Sequence, residues 1–249
     1  MIRLPRLDDH PPGHFPDPRT ALIEPNGLLA FGGDLSPSRL ITAYANGIFP
    51  WYNENEPILW WSPDPRCVFH TDTLYPNRSL RRALREKAWQ VTVNHAFRQV
   101  IRACAAPRPG QFGTWISPAM IDAYGTLHDL GYAHSVEVWE HERLVGGIYG
   151  VSIGRLFCGE SMFSAESGGS KLALCALAAL LRDWGFPLID AQVSNPHLLD
   201  LGAEEISRAA FLREVATLVT APFDEPCWRD IPAIPAQLVL ERHCFPLAG

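Results

Sequence analysis

Two short stretches of the sequence carry polar side chains in settings where such groups usually have a partner or a chemical task. Glu160 follows a glycine within the apolar and aromatic run 155–163, where an unpaired charge would be costly to bury. The second stretch, Leu188–Gln192, has the composition of a short buried strand. Because side chains two residues apart share one face of a strand, Asp190 and Gln192 should lie side by side. The sequence therefore predicts a site with carboxyl and amide groups.

The elements around these stretches predict a mixed α/β or α+β domain with a central sheet. Three runs rich in β-branched and aromatic residues, 135–139, 144–151 and 155–157, predict an antiparallel meander. A helix over 170–184 is apolar on almost all sides, which indicates burial, and it leads into the strand Leu188–Gln192. Helix start and stop signals predict further helices at 36–47, 77–89, 96–105, 117–130, 195–201 and 211–219.

Both ends of the chain are rich in proline. Six prolines fall within the first 35 residues, and proline lacks a backbone N–H and fixes its own φ angle. This composition predicts mostly extended loop folded over the rest of the chain. The last thirty residues predict a tail that wraps around the domain.

The composition is that of an ordinary globular protein. The chain has 249 residues, of which 47% are hydrophobic, enough for a sizeable core. It has no apolar run of about 18 residues and its start lacks the apolar core of a signal peptide, so we expect a cytoplasmic protein without membrane contact. The six cysteines form no CxxC pair, which favours reduced thiols over a zinc site or a disulfide framework.

The arginines of one predicted helix form a compact basic stripe. The formal net charge of −6 argues against a broad nonspecific coat for nucleic acid, because phosphate affinity depends on accumulated Lys and Arg. Four arginines nevertheless follow the i, i+3, i+4, i+7 spacing of a single helix face: Arg78, Arg81, Arg82 and Arg85. The stripe is either a solvated charged face or a local phosphate-binding patch. Only Glu86 offsets the charge nearby, which favours the patch.

Tryptophans cluster in the segments 47–52 and 57–65, which contain too many prolines for a regular element. Large aromatic rings on loops serve either as core plugs or as stacking platforms. Their number alone favours core plugs.

Seven ordered motifs resemble those of the leucyl/phenylalanyl-tRNA–protein transferases, and the resemblance covers about residues 15–211. They are NGLLAFGGDL (26–35), YANGIFPW (44–51), ILWWSPDPR (58–66), TWIS (114–117), GGIYG (146–150), FCGESMF (157–163) and LIDAQ (188–192). Seven motifs in order, several with tryptophan, are far more specific than any one of them.

The resemblance implies an enzyme that moves leucine or phenylalanine, and less readily methionine, from aminoacyl-tRNA to the N-terminal arginine or lysine of an acceptor protein. The added residue marks the acceptor for bacterial N-end rule degradation. The resemblance also implies a small N-terminal domain, 1–65, followed by an acetyltransferase-like (GNAT-like) domain, 66–249, with a central mixed sheet. We expect a monomer and no cofactor.

The implied reaction is the attack of an amine on an ester that is already activated, so it needs no ATP, metal or covalent enzyme intermediate. A protein N-terminus has a pKa of roughly 8 and is largely protonated at neutral pH, so the site must accept a proton. By resemblance, Asp190 is the candidate base and Gln192 orients the amine. Glu160 would hold the basic end of the acceptor.

The remaining roles also follow from the resemblance. An apolar pocket for the aminoacyl side chain is assigned to Ile148, Phe157, Met162, Leu177 and Ile189, which the hydrophobic pattern alone places in the core. Stacking of the 3′-adenosine is assigned to Trp51 and Trp115, with Tyr44 and Tyr124 nearby. The arginine stripe would contact acceptor-stem phosphates.

Two other functions remain open from the sequence. An acyl-CoA-dependent N-acyltransferase could use the same kind of fold, although residues 167–171 make a poor pyrophosphate loop. A non-catalytic tRNA-binding module would also explain the arginine stripe and the tryptophans.

Overall fold

The N-terminal part of the chain forms a small three-stranded antiparallel sheet. The computed structural model describes residues 4–8, 10–107, 114–222 and 228–240. The strands β1 (Leu28–Phe31), β2 (Phe49–Pro50) and β3 (Leu59–Trp61) are arranged in the order β1-β3-β2. Helix α1 (Pro37–Ala45) lies between β1 and β2, as predicted, with proline in its first turn. The tryptophan-rich segment does contain regular structure, because buried Trp60 is the central residue of β3.

An eight-stranded sheet is the centre of the fold. Its strands in chain order are β4 (Arg66–His70), β5 (Trp89–Val93), β6 (Ala133–Glu140), β7 (Arg143–Ile153), β8 (Leu156–Ser164), β9 (Leu188–Gln192), β10 (Glu204–Ile206) and β11 (Ile234–Pro235). In space the order is β10-β4-β9-β8-β7-β6-β5-β11. All neighbours are antiparallel except β8 and β9, which are parallel. The predicted meander is confirmed as β6, β7 and β8, and its third strand extends further than expected.

Helices cover both faces of this sheet. They are α2 (Arg78–Glu86), α3 (Phe97–Ala105), α4 (Pro118–Asp129), α5 (Gly169–Asp183), α6 (Pro196–Asp200) and α7 (Arg208–Leu218). The apolar helix α5 packs on one face, while α1, α3, α4 and α7 pack on the other. Each face of the sheet has its own hydrophobic core, because successive side chains of a strand point to opposite faces. Ile148 thus belongs to the core under α5, and its neighbour Tyr149 belongs to the core on the other face. The expected mixed α/β class with a mixed central sheet is confirmed.

The end of one helix differs from the prediction because a residue expected in the helix belongs to a strand. Helix α2 ends at Glu86 rather than near Trp89, because Trp89 pairs with Glu140 as the first residue of β5. The edge strand β10 and its neighbour β4 were not predicted. Each is short, and its apolar and polar residues do not alternate clearly.

The N-terminal segment packs directly on the main sheet. One buried cluster joins Leu29 and Tyr44 of this segment to Tyr149 of β7 and Phe211 of α7. The division of the chain at residue 65 therefore stays a prediction, because no gap in the core marks it.

Other expectations concern the membrane and the cysteines. Within the described ranges, no helix combines the length and the apolar character needed to cross a bilayer. Cys67, Cys104, Cys158 and Cys175 are buried free thiols. Cys227 and Cys244 lie outside the described residues.

Candidate active site

Asp190 lies in a fully buried ion pair with Arg66, a residue that the sequence analysis did not single out. Arg66 Nε donates to Asp190 Oδ1 over 2.8 Å and Nη2 donates to Oδ2 over 2.7 Å. The backbone N–H of Gln192 donates to the same Oδ1 over 3.0 Å. The Asp190 side chain has 0% exposure, and both oxygens are engaged. The Asp190 carboxylate is thus held inside the protein, and its role as the base stays a prediction.

The guanidinium of Arg66 is held by groups from three segments of the chain. Its Nη1 donates to the Gly47 carbonyl oxygen over 3.1 Å. The rings of Phe49 and Phe211 flank it, with centroids at 4.9 and 4.4 Å, close enough for cation–π attraction. A buried aspartate predicts some cationic partner, but the sequence does not say which arginine supplies it.

Glu160 occupies a different setting, at a β-bulge in β8. The register pairs Gly150 with Gly159 and Tyr149 with Ser161, so Glu160 is the extra residue of the bulge. Bulges redirect side chains and are frequent beside active sites. The Glu160 side chain is half-buried.

The environment of Glu160 tunes its acidity toward neutral pH. Burial raises the pKa of the Glu160 carboxyl to about 7, and the nearby Asp190 charge adds to the increase. Hydrogen bonds from Tyr44, Tyr124 and Gln192 oppose the shift by stabilising the ionised form. Tyr124 donates to Oε2 over 3.0 Å and Gln192 Nε2 donates to Oε1 over 2.8 Å.

Gln192 ends β9 at the point where the two parallel strands separate. β8 and β9 share only two residue pairs, Phe157 with Ile189 and Cys158 with Asp190. Beyond them the Gln192 backbone turns to a φ of 60°, and its side chain crosses to Glu160. Its amide nitrogen is thereby used, which leaves the amide oxygen available as an acceptor.

Tyr44 and Tyr124 lie beneath this carboxyl, to which Tyr124 donates a hydrogen bond. Both are buried, with 1% and 0% exposure, and their hydroxyls are hydrogen-bonded to each other. Their rings meet edge to face at 6.5 Å between centroids. Both rings are packed inside the protein, and their place near a stacked adenosine stays a prediction.

Most of the residues predicted to line the apolar pocket are buried in the core. Four of them, Ile148, Phe157, Leu177 and Ile189, belong to the buried cluster under α5. Met162 is half-buried and lines an open cavity of about 560 Å³ that also includes Lys171 and His197. Met162 is therefore the member of the set that an entering side chain would meet first.

The two tryptophans predicted to stack on adenosine both expose ring surface. Trp51 has 43% exposure and tilts against Trp61 with centroids 5.8 Å apart. Trp115 is half-buried. A hydrogen bond between the side chains of Tyr52 and Ser117 links the two loops that carry these tryptophans.

The arginine stripe lies on the outer face of α2. Arg78, Arg81, Arg82 and Arg85 are exposed and surround a surface cavity of about 640 Å³. Leu80 and Leu84 on the opposite side are buried. Leu80 lies near Gly168, directly before α5, so the buried side of α2 faces the start of that helix.

The Arg66–Asp190 pair gives a stability prediction. Arg66→Ala should lower the free energy of unfolding by about 3–5 kcal/mol, because it leaves a buried carboxylate without its cation. Arg98→Ala is the matched control, since it removes a surface pair with Asp129 whose side chains are 47% and 60% exposed; it should cost less than about 1 kcal/mol. Urea denaturation monitored by tryptophan fluorescence measures both, and equal losses would contradict the assignment.

Comparisons with known proteins agree on one family. The model described as leucyl/phenylalanyl-tRNA protein transferase matches residues 68–216, and that of its N-terminal domain matches residues 33–64. The transferase of Xanthomonas campestris pv. campestris (strain 8004) is 55% identical over 98% of this chain and 95% of its own length. That of Xanthomonas euvesicatoria pv. vesicatoria (strain 85-10) is 61% identical over 86% of each chain.

Among solved structures, L-PGS from Bacillus licheniformis aligns with a TM-score of 0.38 at 12% identity, over 68% of this chain and 54% of that chain. This likeness is too remote to inform the function. The family-model matches and the identity to the Xanthomonas proteins decide the assignment. The chain belongs to the leucyl/phenylalanyl-tRNA–protein transferase family.

Proposed function

We propose that the chain transfers a leucyl or phenylalanyl group, and less readily a methionyl group, from aminoacyl-tRNA to the N-terminal arginine or lysine of acceptor proteins. The observation that carries the proposal is the Glu160–Gln192 pair, which lies where β8 and β9 separate and presents a carboxyl and an amide together. Family membership supports the same reaction. We expect the protein to act as a cytoplasmic monomer.

The proposed architecture is acetyltransferase-like, with a small N-terminal domain at 1–65 and the catalytic domain at 66–249. Its support is the single parallel pair within an otherwise antiparallel sheet. Because the pair ends after two residues, the side chains of Glu160 and Gln192 meet beyond it, and substrates are proposed to bind there.

The proposed chemistry is aminolysis of the aminoacyl ester. The α-amine nitrogen of the acceptor forms a bond to the ester carbonyl carbon, and the bond from that carbon to the ribose oxygen breaks. One proton of the amine ends on the departing ribose oxygen, which becomes a hydroxyl. The amide oxygen of Gln192 accepts an amine hydrogen and orients the lone pair. Asp190 is a positioning residue, because it fixes the backbone of Gln192 and is itself fixed by Arg66.

The tRNA is proposed to span three features. Its stem phosphates contact the arginine stripe, since Lys and Arg supply most phosphate contacts. Its terminal adenosine stacks on Trp51 and Trp115. The aminoacyl side chain enters past Met162 toward Ile148, Phe157, Leu177 and Ile189, where apolar walls penalise charged side chains by desolvation.

Donor specificity tests the proposal directly. The protein is incubated with an Arg-starting peptide and either labelled Leu-tRNA or leucyl-CoA. Labelled peptide formed only from the tRNA supports the proposal. Product from leucyl-CoA would favour an acyl-CoA-dependent acyltransferase, and tRNA binding without product would favour a binding module.

The exposed ring of Trp51 gives a kinetic prediction. Trp51→Ala should raise the KM for aminoacyl-tRNA by about 5- to 100-fold, because a base–aromatic stack contributes roughly 1–3 kcal/mol. Steady-state transfer assays and melting temperatures are measured together. Leu130→Ala, which truncates another exposed apolar side chain, should leave both unchanged. A Trp51 effect on melting temperature alone would make this ring a packing group.

The arginine stripe gives a salt-dependence prediction. Arg81→Ala combined with Arg82→Ala should weaken tRNA binding and reduce the slope of log affinity against log salt by about two contacts at most. The contribution of Arg81 should be the smaller, because its Nε already donates to the Pro76 carbonyl oxygen over 2.8 Å. Arg102→Ala with Arg213→Ala removes the same charge from exposed positions on other helices. Equal slopes in the two double variants would show that the stripe is a solvated charged face and not a phosphate-binding patch.

A further inference from the structure

The site contains two carboxyl groups whose surroundings prepare them for different tasks. Asp190 is fully buried, its two oxygens accept three hydrogen bonds, and a guanidinium balances its charge. Such a carboxylate is suited to holding neighbouring groups in place.

Glu160 has no such cation. Among the described residues, no Lys, Arg or His nitrogen lies within 4.0 Å of its oxygens. The titratable groups that face it come from four elements and from its own strand: Tyr44 of α1, Tyr124 of α4, Tyr149 of β7, Asp190 of β9 and Cys158 of β8. Burial raises the pKa of each of these three phenols and of the Cys158 thiol well above its usual value. The three phenols and the thiol therefore keep their own protons near neutral pH.

The geometry around Glu160 also directs it toward the substrate. The bulge in β8 points its carboxyl to the place where β8 and β9 separate. Gln192 Nε2 contacts its Oε1, and Tyr124 contacts its Oε2 from below. An amine held by the amide oxygen of Gln192 would therefore lie next to the partly buried Glu160 carboxyl, to which Gln192 is hydrogen-bonded.

From this arrangement we infer that Glu160, rather than Asp190, is the catalytic group that accepts the proton of the attacking amine. The inference rests on the proposed transfer reaction. As the nitrogen–carbon bond forms, one amine proton passes to the Glu160 carboxylate. When the carbon–oxygen bond of the ester breaks, that proton passes to the departing ribose oxygen, and the carboxylate is regenerated. Atoms and charge balance without a co-reactant.

Tyr44 and Tyr124 have a positioning role in the same step. Hydrogen bonds to the ionised carboxyl lower its pKa, against the effect of burial. The resulting pKa of about 7 suits a group that must both take and return a proton near neutral pH.

The test is the pH dependence of kcat/KM for an Arg-starting peptide between pH 5.5 and 7.5, conditions in which the ester survives the assay. Both the peptide amine, with a pKa of roughly 8, and Glu160 must lose a proton. The logarithm of kcat/KM should therefore rise with a slope of about two at the acidic end. Glu160→Gln should lower kcat/KM by about 10²- to 10⁴-fold and reduce the slope to about one.

Tyr124→Phe provides a second variant that keeps the carboxyl. Removing a hydrogen bond to the ionised form raises the pKa of Glu160, so the acidic limb should move to higher pH. A purely structural role for Tyr124 would lower the rate at every pH without moving the limb. Circular dichroism spectra of both variants establish that they are folded.

Three results would overturn the inference. They are a slope of about two retained in Glu160→Gln, an unmoved limb in Tyr124→Phe, and a Glu160→Gln effect limited to a higher KM for the basic peptide. The last result would make Glu160 the anchor of the acceptor's basic side chain. A wild-type protein that transfers nothing from aminoacyl-tRNA would instead reject the proposed function, so the two failures are distinguishable.

Discussion

The buried ion pair between Arg66 and Asp190 is the interaction on which the site depends. Taking two charges out of water costs several kcal/mol each, and only close geometry with additional hydrogen bonds offsets that cost. Here the additional bonds come from the backbone of Gly47 and Gln192, and two aromatic rings cover the guanidinium. The pair therefore fixes the end of β9, the turn after α1 and the start of β4 relative to one another. Moving any one of them would leave a buried charge without its partner.

The same site holds a second carboxyl in a contrasting state. Asp190 has a cation and no solvent contact, whereas Glu160 has hydroxyl and amide donors and partial exposure. Two acids only one strand apart thus have different surroundings: Asp190 is paired with a guanidinium, whereas burial raises the pKa of Glu160 to about 7. Different surroundings can give neighbouring carboxyl groups different roles. The negative charge of Asp190 contributes directly, because it disfavours ionisation of its neighbour.

Local patterns predicted the elements of the fold better than the contacts within the site. Period and capping signals placed α3, α4, α5 and the β6–β8 meander, because these depend on residues close in sequence. They also marked Glu160 and Asp190 as unusual charges. The sequence alone did not pair Asp190 with Arg66, which is 124 positions away, nor show that Tyr44 and Tyr124 turn their hydroxyls inward. Those arrangements depend on how distant elements pack. The strand β4 was not predicted because both of its faces are buried, so apolar and polar residues do not alternate along it.

The two tyrosine hydroxyls beneath Glu160 connect the N-terminal segment of the chain to the main sheet. Tyr44 belongs to α1, on the same segment as Trp51, whereas Tyr124 belongs to α4 and Glu160 to β8. Burial has the largest effect on the pKa of Glu160, and the hydrogen bond from Tyr44 lowers that pKa. The acidity of this carboxyl therefore depends on a group of the N-terminal segment as well as on groups of the main sheet. The packing of that segment on the sheet is consequently part of the site itself.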